Sequence, residues 1–258
     1  MKTSALIRPQ WPAPPNIESA VTTRGGGYGS GPWSSFNLGD HVGDDPDVVA
    51  ANRGKLAAEL RLTRRPVWLT QVHGTDVLNF DPSPRGDDVS GVIADAACTR
   101  TAGVPCVILT ADCLPVLLCD RQGTVVAAAH AGWRGLAAGI LRNTVASMAC
   151  ESGDILAWLG PAIGPDAFEV GEEVEQTFRA EALDARHRTA IGRCFTTGTR
   201  PGKYFGDLYA LARAELSALG VKEIYGGGFC TFRERDRFFS YRRDGQTGRM
   251  ASLIWLAP

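Results

Sequence analysis

Residues 104–135 read VPCVILTADCLPVLLCDRQGTVVAAAHAGWRG, and this stretch decides the fold. Its apolar runs, at 104–110, 116–119 and 124–129, are too short for helices and are separated by turn residues, so each reads as a strand. Polar residues do not alternate within them, which predicts a sheet covered on both faces. After the last run, Gly132 and Gly135 bracket Trp133-Arg134 ahead of a helix expected over 136–150. Such a turn can aim backbone N–H groups at an anion, although G-W-R-G is neither a Walker nor a dinucleotide fingerprint.

Outward from this stretch, further strands are expected at 21–24, 67–69, 77–80, 155–159 and 222–225. Helices are expected from the Asp45-Pro46 cap to about Leu60, over 170–178, and over 207–219 before Gly220. The alternation is irregular, which predicts an α+β fold rather than a doubly wound sheet.

The chain has 258 residues, 44% of them hydrophobic, with no Pro-, Gly- or Ser-rich linker, so a single domain over 1–258 is expected. A formal net charge of -1 argues against coating a nucleic-acid polymer and leaves a small molecule as the expected partner. The seven cysteines are odd in number and scattered, as reduced thiols in a cytosol would be. The start, MKTSALIRPQWPAPPN, lacks the apolar core of a signal peptide, and no window reaches the ~18 apolar residues of a membrane span. A cytoplasmic location without a membrane partner follows as the expectation.

Candidate chemistry gathers at His73 in TQVHGTD, Cys113 in TADCLPV and His130 in AAAHAGWRG, each placed where an apolar run gives way to a loop. Imidazole, thiolate and imidazole suit a borderline-soft ion such as zinc, and a three-ligand set leaves a fourth position for water or substrate. Taken singly, a buried Cys or a lone His is more often structural, and these spacings match no local metal motif. Asp112 reads either as a proton shuttle or as the cap of its own turn. Arg53 shares a helical stripe with Val49, Leu56 and Leu60, so it either snorkels outward or meets an anion or carboxylate in a polar pocket. Gly25-Gly26-Gly27 beside Arg24 is either a ligand-admitting loop or an ordinary surface one. Near the C-terminus, arginines 233, 235, 237, 242, 243 and 249 interleave with Phe238, Phe239 and Tyr241. Glu234, Asp236 and Asp244 interrupt them, which favours a salt-bridged hairpin or the wall of an anion pocket over single-stranded nucleic-acid binding.

The blocks QVHGTDV, LTADCLPVLLCD, AAAHAGWRG, WLGPAIGP, FEVGEEV and FFSYRRDGQTGRMASLIWL, in this order across nearly the whole chain, closely resemble the YfiH-type laccase-domain family. Its members are also known as purine nucleoside phosphorylases and peptidoglycan editing factors. The resemblance implies a single α+β domain with α/β/β/α layering and a core shared with cytotoxic-factor-type cysteine hydrolases. It implies Zn2+ held by His73, Cys113 and His130; Cu2+, which outcompetes zinc in raw affinity, is expected to be able to take the same three ligands. It also implies phosphorolysis of adenosine, inosine and methylthioadenosine, and deamination of adenosine. Where some members carry Cys-Cys-Tyr after GPAIGP, this chain has Asp166-Ala167-Phe168, so no thiol chemistry is expected there.

Glycosidic cleavage builds positive charge on the sugar and negative charge on the departing base. For a phosphorylase, Arg53 and Arg134 are therefore the expected contacts to phosphate or sugar oxygens, Asn37 an amide contact to substrate, and Arg53 and Asp112 the catalytic pair. Zinc polarising a water would account for deamination. Other readings are a Cys113 hydrolase acting on a peptidoglycan precursor, a copper-loaded polyphenol oxidase, and a non-catalytic metal-binding partner of cell-wall proteins. The four histidines, 41, 73, 130 and 187, are too few for the multi-histidine, oxygen-reducing centre of a multicopper oxidase.

Overall fold

The computed structural model describes residues 6–80 and 91–258. In chain order these form β1 (Leu6–Ile7), β2 (Ile17–Thr22), α1 (Pro46–Glu59), β3 (Val77–Asn79), β4 (Ala96–Thr99), β5 (Cys106–Thr110), β6 (Leu114–Asp120), β7 (Val126–Ala131), α2 (Trp133–Ala138) and α3 (Ile140–Ser147). They continue with β8 (Ile155–Leu159), β9 (Glu169–Gly171), α4 (Glu172–Ala180), α5 (Ala185–Gly192), β10 (Phe195–Thr197), β11 (Lys203–Gly206), α6 (Leu208–Ala218), β12 (Glu223–Gly226), α7 (Tyr241–Asp244) and β13 (Met250–Leu256). The result is a mixed α/β fold with a four-stranded sheet, β1-β2-β13-β5, a six-stranded sheet, β12-β8-β6-β7-β4-β3, and a small sheet, β10-β11-β9.

The continuous apolar runs are explained by two cores. In β6, Leu117 and Cys119 face the four-stranded sheet and meet Val21, Ile108 and Ile254, while Val116 and Leu118 face helices and meet Ile140, Leu141 and Leu216. Successive side chains of one strand thus enter different cores, so neither face tolerates a polar residue. The far face of the four-stranded sheet, with Val107 and Leu253, is closed by Leu56 and Leu60 at α1. Among the described residues, no helix is long and apolar enough to cross a membrane.

Several boundaries differ from the sequence reading. The helix expected over 136–150 starts at Trp133 and is broken at Gly139, whose φ of 100° no β-carbon-bearing residue adopts readily. Residues 169–171 pair with β11 before α4 begins, so the helix expected from residue 170 opens two residues later. The strand expected at 67–69 is absent; only Thr70 forms an isolated bridge, to Ile93. No hairpin forms in the arginine-rich segment, where turns and the one-turn α7 lead into β13.

Leu117 is fully buried and pairs with Ala128 on one side and Trp158 on the other. Leu117→Ala is therefore expected to lower unfolding stability by about 2–5 kcal/mol, read as the shift of a denaturant unfolding midpoint at constant slope.

Candidate metal centre and its cavity

The site lies at the sheet ends where β5 stops, β6 and β13 begin and β7 stops, as the pairings Thr110 with Met250 and Leu114 with Ala131 require. Cys113 belongs to a three-residue connection that carries the chain from the four-stranded to the six-stranded sheet. The corner is made at Asp112, which holds φ at 89°, a conformation unusual outside glycine. Asp112 Oδ1 accepts from the Thr231 hydroxyl at 2.6 Å, its Oδ2 accepts from the Arg242 N–H at 2.6 Å, and its carbonyl accepts from the Ile163 N–H at 2.9 Å.

His130 sits in β7, buried, and His73 sits exposed in a loop with φ 61°. Both are fixed by one carboxylate. Asp95, fully buried just before β4, accepts from His130 Nδ1 at 2.8 Å and from the backbone N–H groups of Val72, His73 and Gly74 at 3.1, 2.9 and 2.7 Å. Burial opposes its charge, but these hydrogen bonds hold the carboxyl below the usual carboxylate range. An ionised carboxylate only accepts, so His130 donates from Nδ1 to Asp95 and presents Nε2 to the cluster. Burial works against a charged ring, yet Cys113 and Asp95 raise His130 to about 9, so Nε2 carries a proton that a metal ion would displace.

One donor atom from each of His73, Cys113 and His130 lies within 4.8 Å of the others, and Cys113 Sγ is 3.7 Å from His73 Nε2. Desolvation works against a thiolate, yet the His130 imidazolium, with hydrogen bonds from His130 and His73, pulls the Cys113 thiol down to about 6. Glycine is required beside them: a β-carbon at Gly132 would stand 2.7 Å from His73 Cδ2 and 3.1 Å from Cys113 Sγ. Two nitrogens and a polarisable sulfur, one ring oriented by a carboxylate, suit a borderline metal ion.

The cluster opens on a cavity of about 570 Å³. Trp133, Phe168 and Tyr241 give it aromatic walls, and Arg134, Arg242 and Arg249 give it positive charge.

Residues 18–257 match the family described as multi-copper polyphenol oxidoreductase laccase. A purine nucleoside phosphorylase from Pseudomonas aeruginosa is 51% identical over 253 residues, covering 98% of this chain and 99% of that protein. The purine nucleoside phosphorylase YfiH of Escherichia coli is 51% identical with the same coverage. Among solved structures, a Neisseria meningitidis protein superimposes with a TM-score of 0.90 at 48% identity, covering 99% of this chain and 100% of that one. YlmD from Geobacillus stearothermophilus superimposes with a TM-score of 0.89 at 34% identity, covering 100% and 98%. The chain belongs to the YfiH laccase-domain family.

In this YfiH-family protein the expected site residues part company. His73, Cys113, His130, Asp112 and Arg134 line the cavity; Arg53 and Asn37 do not. Arg53 stacks on Trp68 at 4.2 Å, donates from Nε to Leu38 O at 3.0 Å and lies 3.2 Å from Asp40, so its charge is spent on the α1 face. Asn37 is fully buried and uses its amide internally: Nδ2 donates to Gly39 O and Asp44, and Oδ1 accepts from the Gly39 and Arg249 N–H groups. It is a clamp on the Arg249 backbone. Arg134 is exposed and lies over its neighbour Trp133.

The sequence reading missed Asp95, although a lone acid in the apolar run Val92-Ile93-Ala94-Asp95-Ala96-Ala97 had to find donors somewhere. It anticipated an anion-pocket wall among the C-terminal arginines but did not connect it to the three donors. Among the described residues this is the one donor group close enough to share an ion; His187 is buried 3.3 Å from Glu215 instead.

Asp95→Asn, which breaks the anchor of both imidazoles, is expected to weaken metal affinity by about 10–100-fold in chelator competition, with the fold retained by circular dichroism. Gly132→Ala should lower affinity as well, through collision with His73 and Cys113. Unchanged affinity in both variants would contradict this account of the site.

Proposed function

We propose that this chain is a cytoplasmic, zinc-dependent purine nucleoside phosphorylase. In this reading residues 1–258 act as one α+β domain with α/β/β/α layering, related in its core to cysteine hydrolases. Adenosine, inosine or methylthioadenosine reacts with phosphate to give the base and the corresponding pentose 1-phosphate, and adenosine is also deaminated. The observation that carries it is a single cavity holding both a nitrogen–sulfur donor cluster and guanidinium groups. Relatives at 51% identity that are named purine nucleoside phosphorylases support it.

Zn2+ held by His73, Cys113 and His130 would supply Lewis-acid polarisation of a substrate or water oxygen. Cu2+ fits the same donors, and a copper-loaded form would account for incidental polyphenol oxidation. The rest of the work falls to the chain. Trp133, Phe168 and Tyr241 offer flat apolar surface to a purine and keep bulk water from the glycosidic bond. The arginines hold the phosphate oxyanion and offset its charge as it approaches the sugar. Asp112, the carboxylate of the cavity wall, keeps a second lone pair on each oxygen after its bonds to Thr231 and Arg242, and is the proposed carrier that takes the proton released by hydrogen phosphate as its oxygen bonds the sugar and passes it to the departing base.

The contact between Cys113 Sγ and His73 Nε2 supports a second reading, a thiol–imidazole dyad that hydrolyses a peptidoglycan precursor. Metal ligation would occupy that thiolate, so the two readings separate on metal removal.

Protein of known metal content, incubated with inosine, is expected to release hypoxanthine only when phosphate is present, to lose this on chelation and to regain it with zinc. Equal release without phosphate would make the enzyme a hydrolase, and no release from any nucleoside would remove the assignment. Peptidoglycan-precursor hydrolysis that rises on metal removal would favour the dyad.

A further inference from the structure

The C-terminal arginines divide into two groups. Arg233 lies 2.8 Å from Asp166, Arg235 3.9 Å from Asp244, Arg237 2.6 Å from Glu234 and Arg243 2.7 Å from Asp244. Arg242 and Arg249, the two that line the cavity, form no ion pair with a carboxylate among the described residues. The difference follows position in the fold: the arginines facing away from the cavity are neutralised locally, and those facing it are not.

Both are nevertheless held in place. Arg242 Nη1 donates to Glu169 O at 3.0 Å, and its backbone N–H is pinned to Asp112. Arg249 Nη1 donates to Thr247 O at 3.0 Å and Gly248 O at 3.1 Å, and its backbone N–H is fixed by Asn37 Oδ1 at 2.9 Å. Its stem passes Gly39 so closely that a β-carbon there would stand 2.7 Å from Arg249 Cγ. In each guanidinium one nitrogen is anchored to carbonyls, and Nε and Nη2 have no hydrogen bond to any described residue. Arg249 is half-buried, and burial lowers its pKa; only the Cys113 and Asp112 charges, neither in an ion pair with it, and the Tyr241 ring at 5.9 Å offset its charge, so a ligand that brings an anion to its free N–H groups is favoured. Of the lining side chains only Asp112 is a carboxylate, against three arginines.

We infer that Arg249, assisted by Arg242 from the same wall, forms a subsite for a tetrahedral oxyanion, inorganic phosphate, in the cavity that the three metal donors share. Pre-oriented guanidinium groups with free N–H donors suit an ion with several equivalent oxygens. The assignment rests on the phosphorylase reading for the identity of the ion, and it moves phosphate contact from Arg53 to Arg249. Arg249 and Arg242 are positioning residues for the co-substrate.

The test compares zinc-loaded wild type with Arg249→Gln, Arg249→Lys, Arg242→Gln and, as a control outside the cavity, Arg233→Gln. Two readouts are taken: equilibrium binding of radiolabelled orthophosphate without nucleoside, and the separate KM values for phosphate and inosine. Arg249→Gln is expected to weaken orthophosphate binding and raise the phosphate KM by about tenfold or more, with the inosine KM and zinc content unchanged. Arg249→Lys should recover part of the loss, Arg242→Gln should share it, and Arg233→Gln should match wild type. Orthophosphate binding that Arg249→Gln leaves intact, or a loss equally large for inosine, overturns the subsite. Displacement of orthophosphate by adenosine 5′-monophosphate far below the concentration at which adenosine acts would assign the subsite to a nucleotide phosphate and overturn inorganic phosphate as its ligand. If Arg249→Gln unfolds, as read by its melting curve, the Lys and Arg242 variants decide alone. Wild type that binds orthophosphate through Arg249 yet releases no base sinks the phosphorylase reading and leaves the subsite. Phosphate-dependent release with an unchanged phosphate KM in Arg249→Gln does the reverse.

Discussion

The Asp95 carboxylate accepts one imidazole N–H and three successive backbone N–H groups, and the rest of the site depends on this set of bonds. A fully buried carboxylate is tolerated only when its charge is met, and here the groups that meet it belong to the segments bearing His73 and His130. One ionised side chain therefore does two things: it curls the 72–74 loop so that His73 can hold a left-handed backbone, and it sets the tautomer of His130. The third donor, Cys113, is delivered separately by the tight crossing between sheets at Asp112, whose own carboxylate ties that corner to Thr231 and Arg242. Two buried acids, one behind each side of the cluster, thus hold donors from distant parts of the chain in register.

The same construction explains why the cavity is positively charged on its outer wall. Asp112 turns its oxygens toward a backbone N–H and a hydroxyl and forms no ion pair with the Arg242 guanidinium among the described residues, and Asn37 holds Arg249 by its backbone alone. Neutral or backbone-directed clamps hold both guanidinium groups by Nη1 without neutralising them, which leaves Nε and Nη2 for a ligand. Elsewhere in the C-terminal segment, side-chain ion pairs consume that charge.

Much of this was legible in residue order. The unbroken apolar runs at 104–129 announced strands buried on both faces, and they became β5, β6 and β7 with every residue buried. His73, Cys113 and His130 were visible because each falls where a run ends, although their convergence is a property of sheet topology that spacing does not encode. Arg53 and Asn37 misled for the same reason: a polar group on an apolar stripe or in a loop needs a partner, and sequence cannot say whether the partner is a substrate, Trp68 and Asp40, or the backbone of Arg249. Asp95 was missed because its donors are backbone groups of a loop more than twenty residues earlier, which leave no mark on composition. The break at Gly139 was hidden because apolar residues continue on both sides of it, and the strand at 169–171 because three residues, Glu-Val-Gly, are too few to show a period.

The central claim is that three side chains, arranged by Asp95 and the Asp112 corner, grip a single ion and leave part of its coordination sphere to a ligand. X-ray absorption at the zinc edge of the metal-loaded protein tests it most directly. The account predicts one sulfur and two imidazole neighbours plus a light-atom neighbour that changes when phosphate or nucleoside is added, with the sulfur lost in Cys113→Ser. A shell without sulfur, or one fully occupied by protein donors and indifferent to added ligand, would contradict it.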